Sequence, residues 1–444
     1  MSKAIYTLVD KYVVHAVCAG PMHVGGAGKK SEVLIHPVSG LPFVQATGIC
    51  GVLRAYCGQI ASAKEVNSLF GDTSDTAESR IRFSDGLFIR NENLRMELRP
   101  RLALDPKTGT AAAKKDAGLE ESKSGQKFDM QYVGSGSELQ FEIFHYDATE
   151  EETRLLLGAL AALDAHEIQF GGQKSNGCGY IKIQKLLHGH YDMTRKEDRA
   201  AWIQESEDGM EPVALAAVEK TLHSDAYEVE ILAETEGELL VKGIAVEKFG
   251  KDEPKATNIK DASGRYVIPG SSVKGAIRNR MEMIAGYLGI SKELVFESFG
   301  RASESENEGM RGSLRFRDVA VGDEEGRDCA LRTRIHIDKF TGGVMNGALF
   351  SELNVFGDLK LCINVADRRN AKAVTGLLLL ALRDLAYKMY ALGSGQSVGK
   401  GYLNVKEIHV RDLRQEKECT LNGKFELSGG REVAEACLEA LRNY

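Results

Sequence analysis

The chain has 444 residues, of which 27% are charged and 43% hydrophobic, and its formal net charge is −7. A chain of this length exceeds one ordinary core, so two domains are expected. It contains no apolar run near the ~20 residues that cross a bilayer, which excludes a membrane protein. The acidic balance predicts weak non-specific attraction to phosphate over the whole molecule, so any nucleic-acid site must be a local basic groove.

The N-terminal segment alternates apolar and polar residues and contains Asp10 and Lys11, unlike a secretory signal peptide. The sequence therefore predicts a cytoplasmic protein. The eight cysteines form no CxxC pair, and none lies near a histidine pair at zinc-ligand spacing. We interpret them as buried free thiols.

The first half begins with a strand, and its first helix is predicted to start near Thr47, whose hydroxyl suits an N-cap. Residues 106–126 are rich in Lys, Ala, Gly and Ser, which favours a projecting loop. Thr149 and Glu152 form a capping box before an apolar helix. A glycine-rich loop at 171–179 and a closing strand complete this half.

The second half repeats the same order of elements after an acidic, helix-prone segment. A helix is predicted to start near Ser272, an apolar helix covers 374–390, and a glycine-rich loop at 393–401 precedes the last core strand. A short hairpin and an amphipathic helix at 431–442 follow. The predicted boundaries are 1–190 for the first module, 191–226 for an ordered linker, 227–412 for the second module and 413–444 for a C-terminal extension.

Four short motifs recur in the same order, which indicates an internal duplication. Equivalent positions lie 222 to 233 residues apart. The pairs are GVLR at 51–54 with GAIR at 275–278, RFSD at 82–85 with RFRD at 315–318, DPKTG at 105–109 with DKFTG at 338–342, and SNGCGY at 175–180 with SVGKGY at 397–402. Strands and two helices in this order predict an α+β, ferredoxin-like module in each half, with helices on one face of the sheet.

These motifs resemble the RAMP superfamily, the repeat-associated RNA-binding proteins that form the backbone of type III CRISPR effector complexes. IPGSSVKGAIR at 268–278 is similar to the family signature IPGSSxKGxxR, and IDKFTG at 337–342 with GALF at 347–350 resembles its IDxxTG and LF segments. The first half keeps PMHVGG at 21–26 but has VQATGIC at 44–50 where the signature would stand. The resemblance implies two tandem RRM-like RAMP modules with inserted thumb hairpins, III-D-like in organisation.

The resemblance also implies RNA contacts at the helix starts and glycine loops. A helix start offers amides, hydroxyls and a positive dipole end to a phosphate, and Lys274 and Arg278 lie one turn apart behind it. The residues alone leave an alternative, in which the serines cap the helix and the cations are solvated. The predicted RNA-binding residues are His23, Gly25, Gly26, Arg54, Lys174, Ser175, Gly177, Gly270, Ser271, Ser272, Lys274, Arg278, Phe340, Thr341, Met345, Gln396, Ser397, Gly399 and Lys400.

Two inserted segments, 105–127 and 338–350, correspond to the family's thumb-like hairpins, which wedge into the guide–target duplex at regular intervals. Phe340 and Met345 are the candidate apolar wedges. Ordinary packing under a loop is the alternative interpretation.

In catalytic members of the family, an Asp in the loop after the first strand, commonly within DxP, promotes metal-dependent cleavage of target RNA. Asp252 precedes Glu253 and Pro254 and is the candidate catalytic residue and the candidate ligand of a divalent cation, Mg²⁺ or Mn²⁺. Its spacing departs from the family pattern, and a solvated carboxylate is the alternative. The first copy has Lys30 there, and its nearest carboxylate is Glu32, which predicts binding without cleavage.

The predicted function is a backbone subunit of a type III RNA-guided complex that binds guide RNA and cleaves complementary target RNA at its second module. Two alternatives stay open. One is a structural RNA-binding subunit without cleavage, and the other is a CRISPR-RNA processing endonuclease, for which the sequence offers no convincing His–Tyr or His–Lys set. The expected partners are guide RNA, target RNA, and other RAMP-type and large subunits, with no membrane.

Overall fold

The computed structural model describes residues 6–26, 31–72, 78–102, 113–114, 122–125, 127–218, 224–243, 254–301, 309–345 and 349–444. The chain forms two compact units. Unit 1 comprises Met1–Met96, Gln131–Lys174 and Cys178–Ser224, and unit 2 comprises Glu97–Met130, Ser175–Gly177 and Asp225–Tyr444. Among the helices that the structure describes, none combines the length and apolar character that a bilayer crossing needs.

The first half of the chain carries eleven strands and four α-helices within the described residues. They are β1 (Leu8–Cys18), β2 (Phe43–Val44), α1 (Ala46–Ile60), α2 (Ala63–Phe70), β3 (Ile81–Phe83), β4 (Gly86–Phe88), β5 (Met96–Leu102), β6 (Ala113–Lys114), β7 (Ser122–Gly125), β8 (Lys127–Val133), β9 (Glu138–Tyr146), α3 (Glu150–Asp164), β10 (Ile181–Asp192), α4 (Lys196–Gln204) and β11 (Glu211–Pro212). Short 3₁₀ turns occupy Lys174–Asn176 and Leu215–Ala217.

The second half carries a further twelve strands and four α-helices among the residues described. They are β12 (Asp225–Thr235), β13 (Val267–Ile268), α5 (Gly270–Leu288), α6 (Lys292–Phe299), β14 (Gly300–Arg301), β15 (Met310–Arg311), β16 (Leu314–Phe316), β17 (Val319–Ala320), β18 (Cys329–Arg334), β19 (Phe350–Val355), β20 (Asp358–Ala366), α7 (Ala371–Ala386), β21 (Leu403–Asp412), β22 (Lys417–Asn422), β23 (Leu427–Gly429) and α8 (Arg431–Arg442). A 3₁₀ turn occupies Gln396–Val398.

Unit 1 is built on an antiparallel sheet in which β10, β1, β9 and β3 lie side by side. This order of the four core strands, with α1 and α3 in the connections, is ferredoxin-like. Alternate residues of β1, such as Tyr12 and Val14, are buried in one core with Leu53 of α1 and Leu160 of α3. The period-2 pattern of β1 therefore sets which sheet face the helices cover.

Unit 2 repeats this arrangement, because β16, β20, β12 and β21 lie in the equivalent order. Val229 and Ile231 of β12 share a core with Ile277 of α5 and Leu378 of α7. The predicted α+β fold with two ferredoxin-like modules is thereby confirmed. The inserted hairpins are also present, since β5 pairs with β8 and β18 pairs with β19.

The two units divide the chain differently from the predicted boundaries. Residues 191–224 of the predicted linker belong to unit 1, where Trp202 of α4 packs 5.5 Å from Phe144 and 5.4 Å from Tyr191, measured between ring centroids. The C-terminal extension belongs to unit 2, because β22 and β23 extend its sheet and α8 packs against α7. Apolar burial makes each segment part of a module.

The helix starts differ from the sequence prediction in one respect. α1 begins at Ala46 and α5 at Gly270, so Thr47 and Ser272 lie inside the first turn and are not N-cap residues. The residues at the N-cap positions supply no side-chain hydrogen bond to either helix. The prediction that Thr47 and Ser272 cap these helices was wrong.

Each helix start is capped instead by an aspartate from a distant strand end. The Ala46 amide donates to Oδ1 of Asp85 at 2.7 Å, and the Gly270 amide donates to Oδ1 of Asp318 at 2.9 Å. Asp85 and Asp318 are equivalent positions of the repeat. A carboxylate at this place satisfies an otherwise unpaired amide and interacts favourably with the helix dipole.

Two local predictions are confirmed by the hydrogen bonds and element bounds. Thr149 and Glu152 form the reciprocal capping box at the start of α3. The C-terminal amphipathic helix has the predicted bounds, Arg431–Arg442. Both signals lie within a few neighbouring residues, so they do not depend on the rest of the fold.

We expect Asp85→Ala to lower the free energy of unfolding by about 1 kcal/mol, the usual cost of removing an N-cap acceptor. Asp85→Asn is the matched control, because its amide oxygen can still accept the hydrogen bond from Ala46. Urea unfolding of the full chain, followed by circular dichroism, measures the difference. Equal stability of Asp85→Ala and the unsubstituted chain would contradict a capping role.

Candidate nucleic-acid interface

The first turn of α5 in unit 2 carries the candidate phosphate-binding groups. Ser271 and Ser272 are half-buried, and within the described part of the chain neither hydroxyl forms a hydrogen bond. The Gly270 amide already donates to the Asp318 carboxylate, and the negative charge of this carboxylate offsets part of the positive helix dipole. Phosphate binding here must therefore depend on the serine hydroxyls and on the cations behind them.

Lys274 is the central cation of this turn. Its ammonium Nζ donates to Ser175 Oγ at 3.0 Å within unit 2. Burial, together with the positive charges of Arg278 and Arg101, lowers the pKa of Lys274 to about 8. Lys274 thus remains mostly protonated at pH 7 in a locally positive environment, which favours a bound anion.

Arg278 lies one turn further along α5. Its Nε donates to Glu282 Oε1 at 2.7 Å, and its guanidinium lies 5.8 Å from the centroid of the Phe299 ring. The ion pair and the ring hold the guanidinium in a defined orientation while part of it stays exposed. The positive charge of Arg278 lowers the pKa of Lys274, although the same guanidinium is paired with Glu282.

A buried ionic network fixes the start of α5, and sequence reasoning missed it. Arg99 of β5 donates from Nε to Glu97 at 2.7 Å and from Nη1 to Asp318 at 2.5 Å. The same Glu97 carboxylate accepts from the Ala262 amide at 2.9 Å, and burial raises its pKa. The Asp318 carboxylate therefore joins Arg99 to the Gly270 amide.

The sequence did contain a signal for this network. The segment RPRLALD at 99–105 matches RTRIHID at 332–338, so Arg99 and Arg101 have equivalents in Arg332 and Arg334. RFSD and RFRD recur as a motif, but the motif alone does not show that its aspartate caps a helix. The contacts of Asp318 with Arg99 and with the Gly270 amide join a hairpin and a helix that lie far apart in the sequence.

The two glycine turns have the same backbone form but different surroundings. Gly177 has φ of +75°, and a Cβ atom there would lie 2.5 Å from the carbonyl oxygen of Phe316 and 2.6 Å from Cα of Arg317. Gly399 has φ of +82°, and a Cβ atom there would meet nothing within 4 Å among the described residues. Val398 beside it is 55% exposed. The turn that ends at Gly177 is therefore packed against Phe316 and Arg317, whereas the turn that ends at Gly399 is open among the described residues.

Lys400, a predicted RNA contact, is buried in unit 2 and is bound to two side chains of β19. It is only 4% exposed, and its ammonium donates to Glu352 at 2.7 Å and to Asn354 at 2.6 Å. Burial disfavours the charged form of Glu352 and acts to raise its pKa. The hydrogen bond from Lys400 and the positive charge of Lys400 outweigh burial and keep the pKa of Glu352 below its ordinary value. Lys400 is an internal ion-pair residue that holds the glycine turn to β19.

His23 is likewise part of the interior of unit 1. It is 5% exposed, its ring Nδ1 lies 2.8 Å from the carbonyl oxygen of Gln131, and its own carbonyl accepts from the Gly172 amide at 2.8 Å. These bonds join the loop after β1 to β8 and to the glycine loop. They favour a structural role over the predicted RNA contact.

The other predicted residues of the first copy lie on three different elements. Gly25 and Gly26 lie in the loop after β1. Arg54 on α1 donates from Nη2 to Asn67 of α2 at 3.0 Å. Lys174 is half-buried at the start of a 3₁₀ turn, where its carbonyl accepts from the Gln169 side chain at 3.0 Å.

The thumb residues of the second copy lie on an exposed turn after β18. Asp338 Oδ1 accepts from the amides of Phe340 at 2.9 Å and Thr341 at 2.7 Å, and from the Thr341 hydroxyl at 3.0 Å. These bonds to Thr341 and Phe340 lower the pKa of Asp338. The turn presents Phe340 with 88% of its surface exposed, and Met345 is also exposed.

The structure brings the predicted residues together at two places in unit 2 besides the thumb. Ser175, Gly177, Gly270, Ser271, Ser272, Lys274 and Arg278 lie around the start of α5, whereas Gln396, Ser397 and Gly399 form the open turn. Asp252 and Lys30 lie outside the described residues. Over the described ranges, no group of three or more His, Cys, Asp or Glu side chains is arranged to hold a metal ion.

Comparison with known proteins gives a family match over more than half of the chain. A search of curated proteins finds no match. A solved structure titled "Cryo-EM structure of the Type III-B Cmr-beta bound to cognate target RNA" is similar over 41% of this chain and 60% of that chain, with 17% identity and a TM-score of 0.33. The sequence description of the RAMP superfamily matches residues 16–182 and 249–404. Because these two regions make up more than half of the sequence and coincide with its two ferredoxin-like modules, the chain belongs to the RAMP superfamily.

Proposed function

We propose that the chain is an RNA-binding backbone subunit of a type III CRISPR effector complex and that it holds guide RNA at the start of α5. The observation that carries this proposal is the cation group around Lys274, whose pKa is lowered by burial and by Arg278 and Arg101. Membership of the RAMP superfamily supports RNA as the source of the phosphate.

The local charge at α5 explains how an acidic protein can bind RNA. The whole chain carries a formal charge of −7, so its net field repels phosphate. Lys274, Arg278 and Arg101 concentrate positive charge beside two serine hydroxyls that have no partner among the described residues. A phosphate between these groups receives charge-assisted hydrogen bonds and relieves the repulsion among the cations.

The exposed turn at Phe340 is the second element of the proposal. The Phe340 ring is 88% exposed, and the Lys339 ammonium lies 5.5 Å from its centroid. Asp338 fixes the backbone on both sides of the ring, so little conformational entropy would be lost on binding. We propose that Phe340, with Thr341 and Met345, stacks against bases of the guide–target duplex.

We also propose that the chain cleaves target RNA at Asp252 with the help of Mg²⁺ or Mn²⁺. It rests on the DxP pattern of the sequence alone, because Asp252 lies outside the described residues. The alternative is a structural subunit that binds RNA without cutting it. The two differ in a single measurable property, the cleavage of complementary RNA by the assembled complex.

The lowered pKa of Lys274 predicts a pH-dependent RNA affinity. The ammonium binds phosphate, and it loses its proton as the pH rises through about 8. Between pH 7 and pH 9 at constant ionic strength, we expect the affinity of the full chain for a fluorescent single-stranded RNA of mixed sequence to fall on the order of tenfold. Fluorescence anisotropy measures this change.

Three variants separate Lys274 from general charge effects. Lys274→Arg should bind at pH 7 and lose the pH dependence, because a guanidinium stays charged at pH 9. Lys274→Gln should bind weakly at both pH values and reduce the salt slope by about 0.7. Lys417→Gln, which removes an exposed lysine paired with Glu432, is the matched control. An unchanged pH profile in Lys274→Arg would refute the site.

Substitution of Asp252 tests cleavage. In the assembled complex, Asp252→Ala should abolish cut sites that depend on this module while guide and target RNA remain bound. Glu253→Ala removes the neighbouring carboxylate and is the matched control. Mapping of cleavage products on a complementary RNA in Mg²⁺ reads the result, and an unchanged set of products would leave the structural subunit as the function.

A further inference from the structure

Two exposed methionines of unit 2 share one guanidinium. In α5, Nη1 of Arg280 donates to Sδ of Met283 at 3.4 Å, and Nη2 donates to Sδ of Met389, beyond the end of α7, at 3.0 Å. We infer that Met283 and Met389 form an oxidation site for peroxides, at which Arg280 binds the sulfoxide oxygens and joins α5 more tightly to the end of α7. This inference goes beyond the proposed function and does not depend on RNA binding.

A buried carboxylate holds the guanidinium of Arg280 in place. Its Nε donates to Oδ2 of Asp384 at 2.6 Å, and Asp384 is 1% exposed. Oδ1 of the same carboxylate accepts from Nε and Nη2 of Arg383 at 3.0 and 2.8 Å. Two guanidinium groups therefore share one negative charge, and among the described residues the Nη atoms of Arg280 donate only to sulfur.

A thioether sulfur is a weak hydrogen-bond acceptor, so the two Nη groups of Arg280 are only partly satisfied. Oxidation converts each thioether into a polar sulfoxide, whose oxygen is a much better acceptor. A hydrogen bond from a charged donor to such an oxygen is about twice as strong as a bond between neutral groups. Oxidation usually disrupts the packing of a methionine, but at Arg280 it supplies the acceptors that the guanidinium lacks.

Both methionines are accessible to a small oxidant and have room for an added oxygen. Met283 is 46% exposed and Met389 is 53% exposed. Tyr287, one turn after Met283, is 85% exposed, so the surface beside Met283 is open to water. Met281, two positions before Met283 on the same helix, is instead fully buried in the core of unit 2. The oxygen added at the exposed pair therefore displaces no core atoms.

The backbone at the end of α7 places Met389 beside Arg280. The Met389 amide donates to the Asp384 carbonyl at 2.9 Å, and the Lys388 amide donates to the Leu385 carbonyl at 3.0 Å. Lys388 has φ of +59°, so these bonds form a Schellman motif that ends the helix and turns the chain back. A stronger bond from Arg280 to residue 389 would restrain this helix end directly.

The oxidation step needs only the sulfur and a peroxide. A sulfur lone pair attacks one peroxide oxygen, the S–O bond forms, and the O–O bond breaks. Sulfur loses two electrons, and the departing hydroxide takes the proton from the transferred oxygen, which leaves a sulfoxide and water. Rotation about the Cγ–Sδ bond then directs the new oxygen to the Nη group. Methionine sulfoxide reductases reverse the modification, so the site can respond to changing oxidant levels.

Peroxide treatment of the full chain tests the site. Peptide mapping by mass spectrometry follows the sulfoxide at each methionine, and dithiothreitol afterwards reduces cysteine sulfenic acids and disulfides but leaves the sulfoxides. We expect Met283 and Met389 to be converted at the hydrogen peroxide dose that converts Met96, which is 47% exposed, while Met281 stays a thioether. Unmodified Met283 and Met389 at that dose would refute the inference.

The melting temperature distinguishes a bound sulfoxide from one that is only exposed. Arg280→Lys keeps a positive charge beside Asp384 but cannot present two donors in a fork. After equal oxidation, the shift in melting temperature of the unsubstituted chain should be about 2 °C more positive than that of Arg280→Lys, because sulfoxides elsewhere are common to both chains. Equal shifts, or a more negative shift in the unsubstituted chain, would overturn the inference.

Substitution by glutamine repeats the test without an oxidant, because its amide oxygen stands in for the sulfoxide oxygen. Hydrogen exchange of the amides at 388 and 389, measured by mass spectrometry, should be about threefold slower in Met389→Gln than in Met389→Leu, which has no acceptor. The difference should vanish when Arg280→Lys is added to both. Equal exchange in the two single variants, or a difference that persists without Arg280, would contradict the inference.

Discussion

The carboxylate of Asp318 is the group on which the architecture of unit 2 depends. One oxygen accepts from the Gly270 amide, and the other pairs with the buried guanidinium of Arg99. Because a buried guanidinium without a carboxylate is strongly unfavourable, β5 and the start of α5 must keep this arrangement. Glu97 adds the second carboxylate that Arg99 needs. The thumb strand and the signature helix are thus positioned by one charge network.

This network also determines how the helix start can meet a phosphate. An α-helix with all its first amides free binds anions through its dipole. Here the aspartate already accepts from the first amide, so the proposed phosphate site consists of the two serine hydroxyls and of Lys274 behind them. Burial lowers the pKa of Lys274 most, and the positive charges of Arg278 and Arg101, which favour an anion at the proposed site, lower it further. The aspartate cap and the proposed phosphate site therefore use different groups of the same helical turn.

The duplication has produced two modules that are alike in fold and unlike in their surfaces. The aspartate cap is retained in both, because an unpaired amide is costly in either module. The glycine and lysine of the signature remain only at α5, where the Phe316 carbonyl oxygen lies 2.3 Å from the place that a Cβ atom would take on Gly270. The same turn around Gly399 has no such neighbour among the described residues.

The sequence by itself determined the duplication, the ferredoxin-like order of elements, the capping box at Thr149 and the helix at 431–442, because each depends on local pattern or on recurrence. It did not show that Asp85 and Asp318 cap the helices, since these caps come from strands about forty and fifty positions away. Nor did it show that Lys400 and His23 are buried, because a residue type at a given spacing does not reveal what surrounds it. Only the tertiary structure decided which glycine turn is packed and which is open, since that depends on the groups facing each turn.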